Sequence, residues 1–309
     1  MSPILAVICL VAGFALLVKG ADWFVSGASG LARRLGVSPL IIGLTIVAFG
    51  TSAPELAVSV TAALDGANEI AVGNIVGSNI FNLLVVAGVS AILCPLVADR
   101  TLLRRDWPCS TLAAIILTIM LMFGNNITRF ESIILLVLFA GMLVWQIRGT
   151  SVPTENNAEE HRPGWLLAVG IVGGIACIVI GGQLSVNGAT ELARAFGWSE
   201  SLIGLTIVAV GTSLPELATS IVAARKGESG LALGNAIGSS TFNILFILGA
   251  SSALTAIESS AEVFTDAVVL LVVTAVMCLW CWLQGRMSRL MGGIGILVYV
   301  GYIVYAILR

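Results

Sequence analysis

Two glutamates lie within apolar stretches of this chain, each in almost the same local sequence. Glu55 lies in GLTIVAFGTSAPELAVS, which spans Gly43–Ser59, and Glu216 lies in GLTIVAVGTSLPELATS, which spans Gly204–Ser220. An ionised carboxylate in the hydrocarbon of a membrane is costly, so such residues usually face the protein interior and take part in function. A carboxylate that only stabilises packing is the alternative, but the recurrence of the glutamate in one motif argues against it.

Each glutamate directly follows a proline, and two hydroxyl residues come shortly before that proline. Proline has no backbone N–H and its ring crowds the carbonyl four residues earlier, so Pro54 should free the carbonyl of Gly50. Pro215 should free that of Gly211 in the same way. Such broken backbone is tolerated at membrane depth where it lines a polar cavity. A simple kink, with the hydroxyls bonded back to their own helix, is the alternative. The hydroxyl candidates are Thr51, Ser52, Thr212 and Ser213.

A second repeated block carries a polar stripe. Ala71–Gly88 reads AVGNIVGSNIFNLLVVAG, and Ala232–Gly249 reads ALGNAIGSSTFNILFILG. Polar residues recur at every fourth position of each block, which places them on one helix face. This face should turn toward the glutamate helices rather than toward lipid, and hydrogen bonding that only joins two helices is the alternative. The stripe consists of Asn74, Ser78 and Asn82 in the first block and Asn235, Ser239 and Asn243 in the second.

Together these side chains form a set of hard oxygen donors. Carboxylate, hydroxyl, amide and carbonyl oxygens suit Ca²⁺ and Na⁺, and do not suit zinc or copper. Two carboxylates balance one Ca²⁺ or two Na⁺, so a single site can hold either load with little residual charge. The Cys278 and Cys281 pair reads as small apolar helix residues rather than as a metal or redox site. The pattern therefore indicates competitive exchange of cations at one site.

The elements that must position these residues are membrane helices. The chain has 309 residues, of which 58% are hydrophobic and 10% charged, whereas soluble domains carry about 25% charged residues. The expected partner is the lipid bilayer, and the net charge of −2 points to no nucleic-acid partner. Nothing in the sequence implies a protein partner. Apolar runs of about 20 residues predict ten spans, near 3–25, 39–64, 69–97, 107–124, 130–147, 165–187, 200–224, 231–256, 263–284 and 290–308.

The two halves of the chain repeat at a constant offset. Glu216 follows Glu55 by 161 residues, and Asn243 follows Asn82 by the same number. Five spans in each half would insert the second half upside down relative to the first. Shared sequence with opposed topology is the inverted-repeat architecture of secondary transporters. We therefore predict an all-α membrane protein with ten transmembrane helices, arranged as two inverted five-helix repeats with Pro-broken central helices.

The repeats should occupy residues 1–148 and 165–309, joined by a cytoplasmic polar linker at 149–164. His161, the only histidine, is then an ordinary linker residue. Basic residues concentrate in cytoplasmic loops, and this rule places both termini outside. The basic residues assigned to the inner loops are Arg33, Arg34, Arg100, Arg104, Arg105, Arg148, Arg162, Arg225, Lys226, Arg286 and Arg289.

At these residues the chain resembles the sodium/calcium exchanger family of the cation/Ca²⁺ antiporter superfamily. Its G-T-S-x-P-E and G-N-x-x-G-S blocks are similar to the two alpha repeats of that family. The resemblance implies a prokaryotic inner-membrane antiporter, not an enzyme, that extrudes Ca²⁺ against Na⁺ by alternating access and needs no cofactor. Carried over by position, it implies side-chain ligands and two backbone carbonyls. The side chains are Glu55, Glu216, Thr51, Thr212, Ser52, Ser213, Ser78, Ser239, Asn82 and Asn243, and the carbonyls are those of Ala48 and Ala209.

The sequence departs from the family pattern at one kind of position. Some members carry Asp where this chain has Asn82 or Asn243, which leaves the Na⁺ stoichiometry and any K⁺ co-transport open. A Ca²⁺/H⁺ antiporter with the same glutamates is the main alternative. An ion channel fits less well, because inverted halves around broken helices suit rocking better than a fixed pore. An intramembrane hydrolase lacks a His or Asp base at membrane depth.

Overall fold

The computed structural model of the protein describes residues 2–124, 126–148, 163–197, 207, 209–258 and 260–308. Within these ranges the chain is almost entirely helical, apart from four two-residue strands. The helices are α1 (Pro3–Leu35), α2 (Pro39–Thr51), α3 (Ala53–Leu64), α4 (Asn68–Leu93), α5 (Leu102–Phe123), α6 (Arg129–Arg148), α7 (Gly164–Ala195), α8 (Ala209–Gly211), α9 (Leu214–Arg225), α10 (Ser229–Leu254), α11 (Ala261–Gln284) and α12 (Arg289–Leu308). The strands are β1 (Leu96–Val97), β2 (Asn126–Ile127), β3 (Ile257–Glu258) and β4 (Arg286–Met287).

The helices are long enough for a protein that crosses the membrane many times. In the described part of the chain, eight helices have the length and apolar composition of a membrane span, and the bent pair of α2 and α3 makes a ninth if it is counted once. The predicted span 200–224 begins in residues outside the described ranges, which retain α8 and α9 from it. The prediction of an all-helical membrane protein is confirmed. The number ten remains a prediction, and most of the predicted linker 149–164, with His161, also lies outside the described residues.

Helix ends follow local chain chemistry and correct several predicted bounds. α5 begins at Leu102 instead of 107, and α7 continues past 187 to Ala195. α1 continues past the predicted end at 25 and stops at Leu35, because Gly36 adopts a left-handed conformation (φ +64°) and its N–H bonds back to the last turn. α4 stops at Leu93 instead of continuing to 97. The residue before Pro95, Cys94, is extended, as the ring of a following proline requires, and the chain then forms β1.

Helices α1 and α7 pack closely along a row of glycines that the sequence analysis did not single out. Gly13, Gly20 and Gly27 recur every seven residues on α1, and they meet α7. A methyl group on Gly20 would lie 2.9 Å from the carbonyl oxygen of Gly174. Small residues let membrane helices approach to backbone contact, so these two long helices form one tightly joined antiparallel pair.

The centre of the protein consists of α4 and α10, the two most buried of the long helices in the described ranges. The last helix of each half packs against the other half: α6 contacts α10, and α12 contacts α4. Edge-to-face aromatic contacts accompany both pairs, Phe139 with Phe242 at 5.5 Å and Tyr299 with Phe81 at 5.4 Å between ring centroids. The two halves are therefore intertwined and share one core.

Two short antiparallel sheets join the halves at the helix ends. β1 pairs with β4, where Leu96 lies opposite Met287, and β2 pairs with β3, where Ile127 lies opposite Ile257. Each sheet takes one strand from each half. α10 begins and ends 161 residues after α4. The helices of the two halves therefore repeat with the same offset as the sequence motifs.

Candidate cation-binding site

The glutamates lie just after a break in their helices. α2 ends at Thr51, Ser52 leaves the helical conformation (φ −85°, ψ 12°), and α3 begins with Pro54 in its first turn at a bend of 49°. Ser213 takes nearly the same conformation (φ −95°, ψ 7°) before α9. Because proline has no N–H to donate to the preceding turn, the helix in each half breaks two residues before its proline. Each glutamate therefore lies in the first turn of a new helix.

The serine at each break contacts the glutamate of the other half. Ser52 Oγ donates to Glu216 Oε1 at 2.7 Å, and Ser213 Oγ donates to Glu55 Oε1 at 2.9 Å. Both glutamates and both serines are fully buried. This exchange brings the two carboxylates into one cluster at the contact between the halves.

Each carboxylate keeps its second oxygen free of hydrogen bonds within the described residues. Several other buried polar atoms of the predicted ligand residues also have no hydrogen-bond partner there. An unsatisfied buried polar atom costs about 1–3 kcal/mol, and a bound ligand is one way in which such atoms are satisfied. These atoms are Ser78 Oγ, Thr212 Oγ1, Asn82 Oδ1 and Nδ2, and Asn243 Oδ1.

The donors in this cluster suit a hard cation. Every free acceptor atom is an oxygen of a carboxylate, hydroxyl or amide, the ligand type that Ca²⁺ takes in proteins. Among the described residues, no group of three or more His, Cys, Asp or Glu side chains could hold a metal ion. Two carboxylates with neutral oxygens form a donor set that could hold Ca²⁺ or Na⁺.

The remaining predicted residues lie around this cluster with different contacts. Ser239 Oγ is 3.4 Å from Glu216 Oε1. Thr51 Oγ1 lies 3.0 Å from the Val47 carbonyl and 3.0 Å from Asn235 Oδ1, and one hydroxyl proton can serve only one of them at a time.

The two predicted carbonyl ligands lie close to the breaks in their helices. The Ala48 carbonyl accepts the Ser52 N–H at 3.0 Å and lies 3.4 Å from the Thr51 hydroxyl oxygen, which can also donate to it. Ala209 begins the short helix α8, just before the second break.

Asn74 and Asn235 take the structural role that the sequence analysis held open for them. Asn74 Nδ2 donates to Ser59 Oγ at 2.9 Å and to the Glu55 carbonyl at 3.3 Å. Asn235 Nδ2 makes the equivalent bonds to Ser220 Oγ and to the backbone of the second glutamate. These amides hold the glutamate helices against α4 and α10. Their serine partners were not predicted, although both serines lie one helical turn after the glutamates.

Wide helical turns begin at two of the predicted ligands. Asn82–Val86 and Asn243–Leu248 are π-helical, as are Gly43–Val47 in α2 and Leu102–Asp106 in α5, which carries no predicted ligand. Such turns are rare and occur frequently at functional sites. Each of the two central asparagines therefore begins a widened turn, a feature that residue preferences do not reveal.

The fold and the cluster together describe an integral membrane protein with two buried carboxylates and neutral oxygen donors at the contact between two similar halves. The family model described as sodium/calcium exchanger protein matches residues 5–148 and 166–308. The chain belongs to this family, which confirms the resemblance found in the sequence. Family membership also makes the chain a transporter rather than an enzyme.

Relatives of known sequence or structure agree over nearly the whole chain. The inner membrane protein YrbG of Escherichia coli is 39% identical over 98% of this chain and 96% of its own. The sodium/calcium exchanger MaX1 of Methanosarcina acetivorans is 30% identical over 96% of both chains. A solved structure of the sodium-calcium exchanger NCX_Mj, soaked with zero Na⁺ and Ca²⁺, matches with a TM-score of 0.87 at 32% identity over 100% of both chains.

Proposed function

We propose that this protein is a secondary active antiporter that exchanges Na⁺ for Ca²⁺ by alternating access and serves Ca²⁺ extrusion. The observation that carries the proposal is the reciprocal contact of Ser52 with Glu216 and of Ser213 with Glu55. It joins two buried carboxylates into one site whose charge is balanced by one Ca²⁺ or two Na⁺. A site that accepts either load, but not both, couples the two ion movements. Family membership supports the same reading.

The proposed ligands are the twelve residues carried over by position. The free oxygens of both glutamates, of Ser78 and of the central asparagines support their role, and the contacts of Ser52, Ser213 and Ser239 with carboxylate oxygens support theirs. The proposed set is Glu55, Glu216, Thr51, Thr212, Ser52, Ser213, Ser78, Ser239, Asn82 and Asn243, with the backbone carbonyls of Ala48 and Ala209.

The proposed architecture has ten spans in two inverted repeats, residues 1–148 and 165–309. The two small sheets support it, because paired strands must lie on one side of the membrane and so require an even number of spans between them. Between β1 and β4 run α5, α6, α7, α10, α11 and one span that includes α8 and α9. If α8 and α9 are counted as one span, six spans lie between β1 and β4. Four spans then lie between β2 and β3, so both numbers are even. With the basic loops inside, both termini face outward from a prokaryotic inner membrane.

Transport in proteoliposomes tests the function. Vesicles loaded with Na⁺ and diluted into Na⁺-free buffer should accumulate radiolabelled Ca²⁺, and vesicles without a Na⁺ gradient should not. The same vesicles are then given a pH gradient alone, and K⁺ is added to one side in a separate series. Uptake driven by the pH gradient and indifferent to Na⁺ would replace the proposal with Ca²⁺/H⁺ exchange, and a strict K⁺ requirement would replace it with K⁺-dependent exchange.

A further inference from the structure

A chain of hydrogen bonds fixes the orientation of one central amide. Asn79 Nδ2 donates to the Ser240 carbonyl at 3.0 Å, and Asn243 Nδ2 donates to Asn79 Oδ1 at 3.0 Å. A backbone carbonyl can only accept, so the amide nitrogen of Asn79 must face it and the amide oxygen must face Asn243. The nitrogen of Asn243 then faces Asn79, and only its oxygen is left to point elsewhere.

That remaining oxygen is a free acceptor on the face of α10 that contacts a carboxylate. Asn243 Oδ1 is buried and has no hydrogen-bond partner within the described residues. Asn243 lies one helical turn after Ser239, which contacts Glu216, so the two side chains share one face of α10. The bridge through Asn79 therefore presents a carbonyl oxygen, and not an N–H group, on the face of α10 that contacts the carboxylate.

The equivalent position in the other half has no such bridge. Ser240 is the counterpart of Asn79, and its hydroxyl bonds back to the Ala236 carbonyl of its own helix at 2.9 Å. Asn82 is the counterpart of Asn243, and neither amide atom of Asn82 has a partner in the described part of the chain. The two central asparagines thus share a position in the repeat but differ in how firmly they are held.

We propose that Asn79 is a positioning residue that orients Asn243 as a ligand for the transported cation, so that only one of the two central asparagines is preorganised. This inference rests on the proposed function of the same site. An amide free to rotate can turn its N–H group toward a cation, and must lose that freedom when the cation binds. An amide already held with its oxygen inward avoids this cost, as do metal ligands oriented by a hydrogen-bonded neighbour.

The test compares Asn79→Ser with Ser90→Ala. Serine is the residue found at the equivalent position of the second half, but it is too short to replace the amide bridge. Ser90 is a matched control, since it is buried on the same helix and, within the described ranges, its hydroxyl bonds only to the Val86 carbonyl of that helix. Asn79→Ser should raise the half-saturating Ca²⁺ concentration about tenfold with the maximal rate retained, the scale expected for a lost orienting partner. Ser90→Ala should change neither quantity.

A binding measurement and a double mutant separate positioning from general loss of structure. Ca²⁺ and Na⁺ should each raise the Tm of the purified wild-type protein, since a ligand stabilises the state it binds, and Asn79→Ser should weaken this rise while leaving the Tm without cations close to wild type. In an Asn243→Ala background, adding Asn79→Ser should cause no further loss, because it acts through a side chain already removed. If Asn79→Ser does not fold, Asn79→Ala takes its place.

The outcomes distinguish this inference from the function beneath it. If neither cation stabilises the wild-type protein, the proposed function fails, and the inference fails with it. If the wild type responds normally and Asn79→Ser binds Ca²⁺ as well as wild type, the inference alone is overturned. Equal losses from Asn79→Ser with Asn243 present and with Asn243 replaced would overturn it as well.

Discussion

Ser52 Oγ donates a hydrogen bond to Glu216 Oε1 across 2.7 Å, although 164 residues separate them in sequence. The serine at the helix break of one half thus touches the carboxylate of the other. The partner bond, from Ser213 to Glu55, makes the relationship reciprocal. A movement of one broken helix against the other must therefore alter the surroundings of both carboxylates together.

Neutralising either glutamate should stop exchange. Glu55→Gln and Glu216→Gln each remove half of the central negative charge, so one Ca²⁺ can no longer be balanced, and Na⁺-driven Ca²⁺ uptake should fall to near background. Glu69→Gln, at an exposed glutamate near the start of α4, is the control and should transport normally. Gel filtration should show the same monodisperse peak for all three variants. Full Ca²⁺ uptake by both site variants would place the ion site elsewhere.

Removing either serine at the breaks should weaken Ca²⁺ binding to a similar extent. A hydrogen bond to a charged group contributes about 1.5–3 kcal/mol, so Ser52→Ala and Ser213→Ala should each raise the half-saturating Ca²⁺ concentration by roughly tenfold or more. Thr274→Ala removes a buried hydroxyl that bonds only within its own helix and should have no such effect. Initial Ca²⁺ uptake rates measured over a range of Ca²⁺ concentrations decide the matter. A strong effect from one serine alone would show that the reciprocal bonds are not equivalent.

The close contact between α1 and α7 should not tolerate a methyl group. Gly20→Ala places its Cβ 2.9 Å from the Gly174 carbonyl oxygen and 2.8 Å from Cys177 Cβ, and overpacking of this kind costs about 1–3 kcal/mol. The Tm in detergent should fall by several degrees. The Cβ of Gly301→Ala on α12 would meet no atom within 4 Å among the described residues, apart from the backbone of its own helix, and the change should leave the Tm unchanged or slightly raised, since alanine favours the helix. An unchanged Tm for Gly20→Ala would mean that the two helices can separate without loss.

Cysteine labelling should report the orientation in the membrane. In a background without the six native cysteines, Asp65→Cys and Phe196→Cys should react with an impermeant reagent added outside intact cells. Arg100→Cys and Asn157→Cys should react only after the cells are opened, because the basic loops lie inside. The reverse labelling pattern would invert the proposed topology, and mixed labelling at Asp65 and Phe196 would contradict the count of ten spans.

Several features of the site could be predicted because they depend on local chemistry that is repeated along the chain. A proline inside a helix removes a backbone hydrogen bond and crowds the preceding turn, so Pro54 and Pro215 predict both breaks, whereas α5 continues through Pro108. A glutamate in an apolar helix must face the interior, and its recurrence at a constant offset predicts that Glu55 and Glu216 come together. The apolar runs predict membrane helices, since a bilayer core sets their length.

Other features were settled only by how the helices pack. The residue spacing places the polar stripe of α4 on one face. Yet the Asn74 side chain bonds to the backbone of the glutamate helix, while the Asn82 side-chain amide has no hydrogen-bond partner among the described residues, because a crossing helix contacts only part of a face. The donation from Ser52 to Glu216 rather than to Glu55 depends on the angle at which the halves meet.

The difference between the two central asparagines likewise needs the tertiary structure. In sequence, Asn79 and Ser240 occupy the same position of the repeat and differ only in residue type, and nothing local says that the longer amide reaches across to Asn243. Hydrogen bonds between distant residues depend on interhelical distances of a few ångströms, and these are set by the packing of all the helices at once.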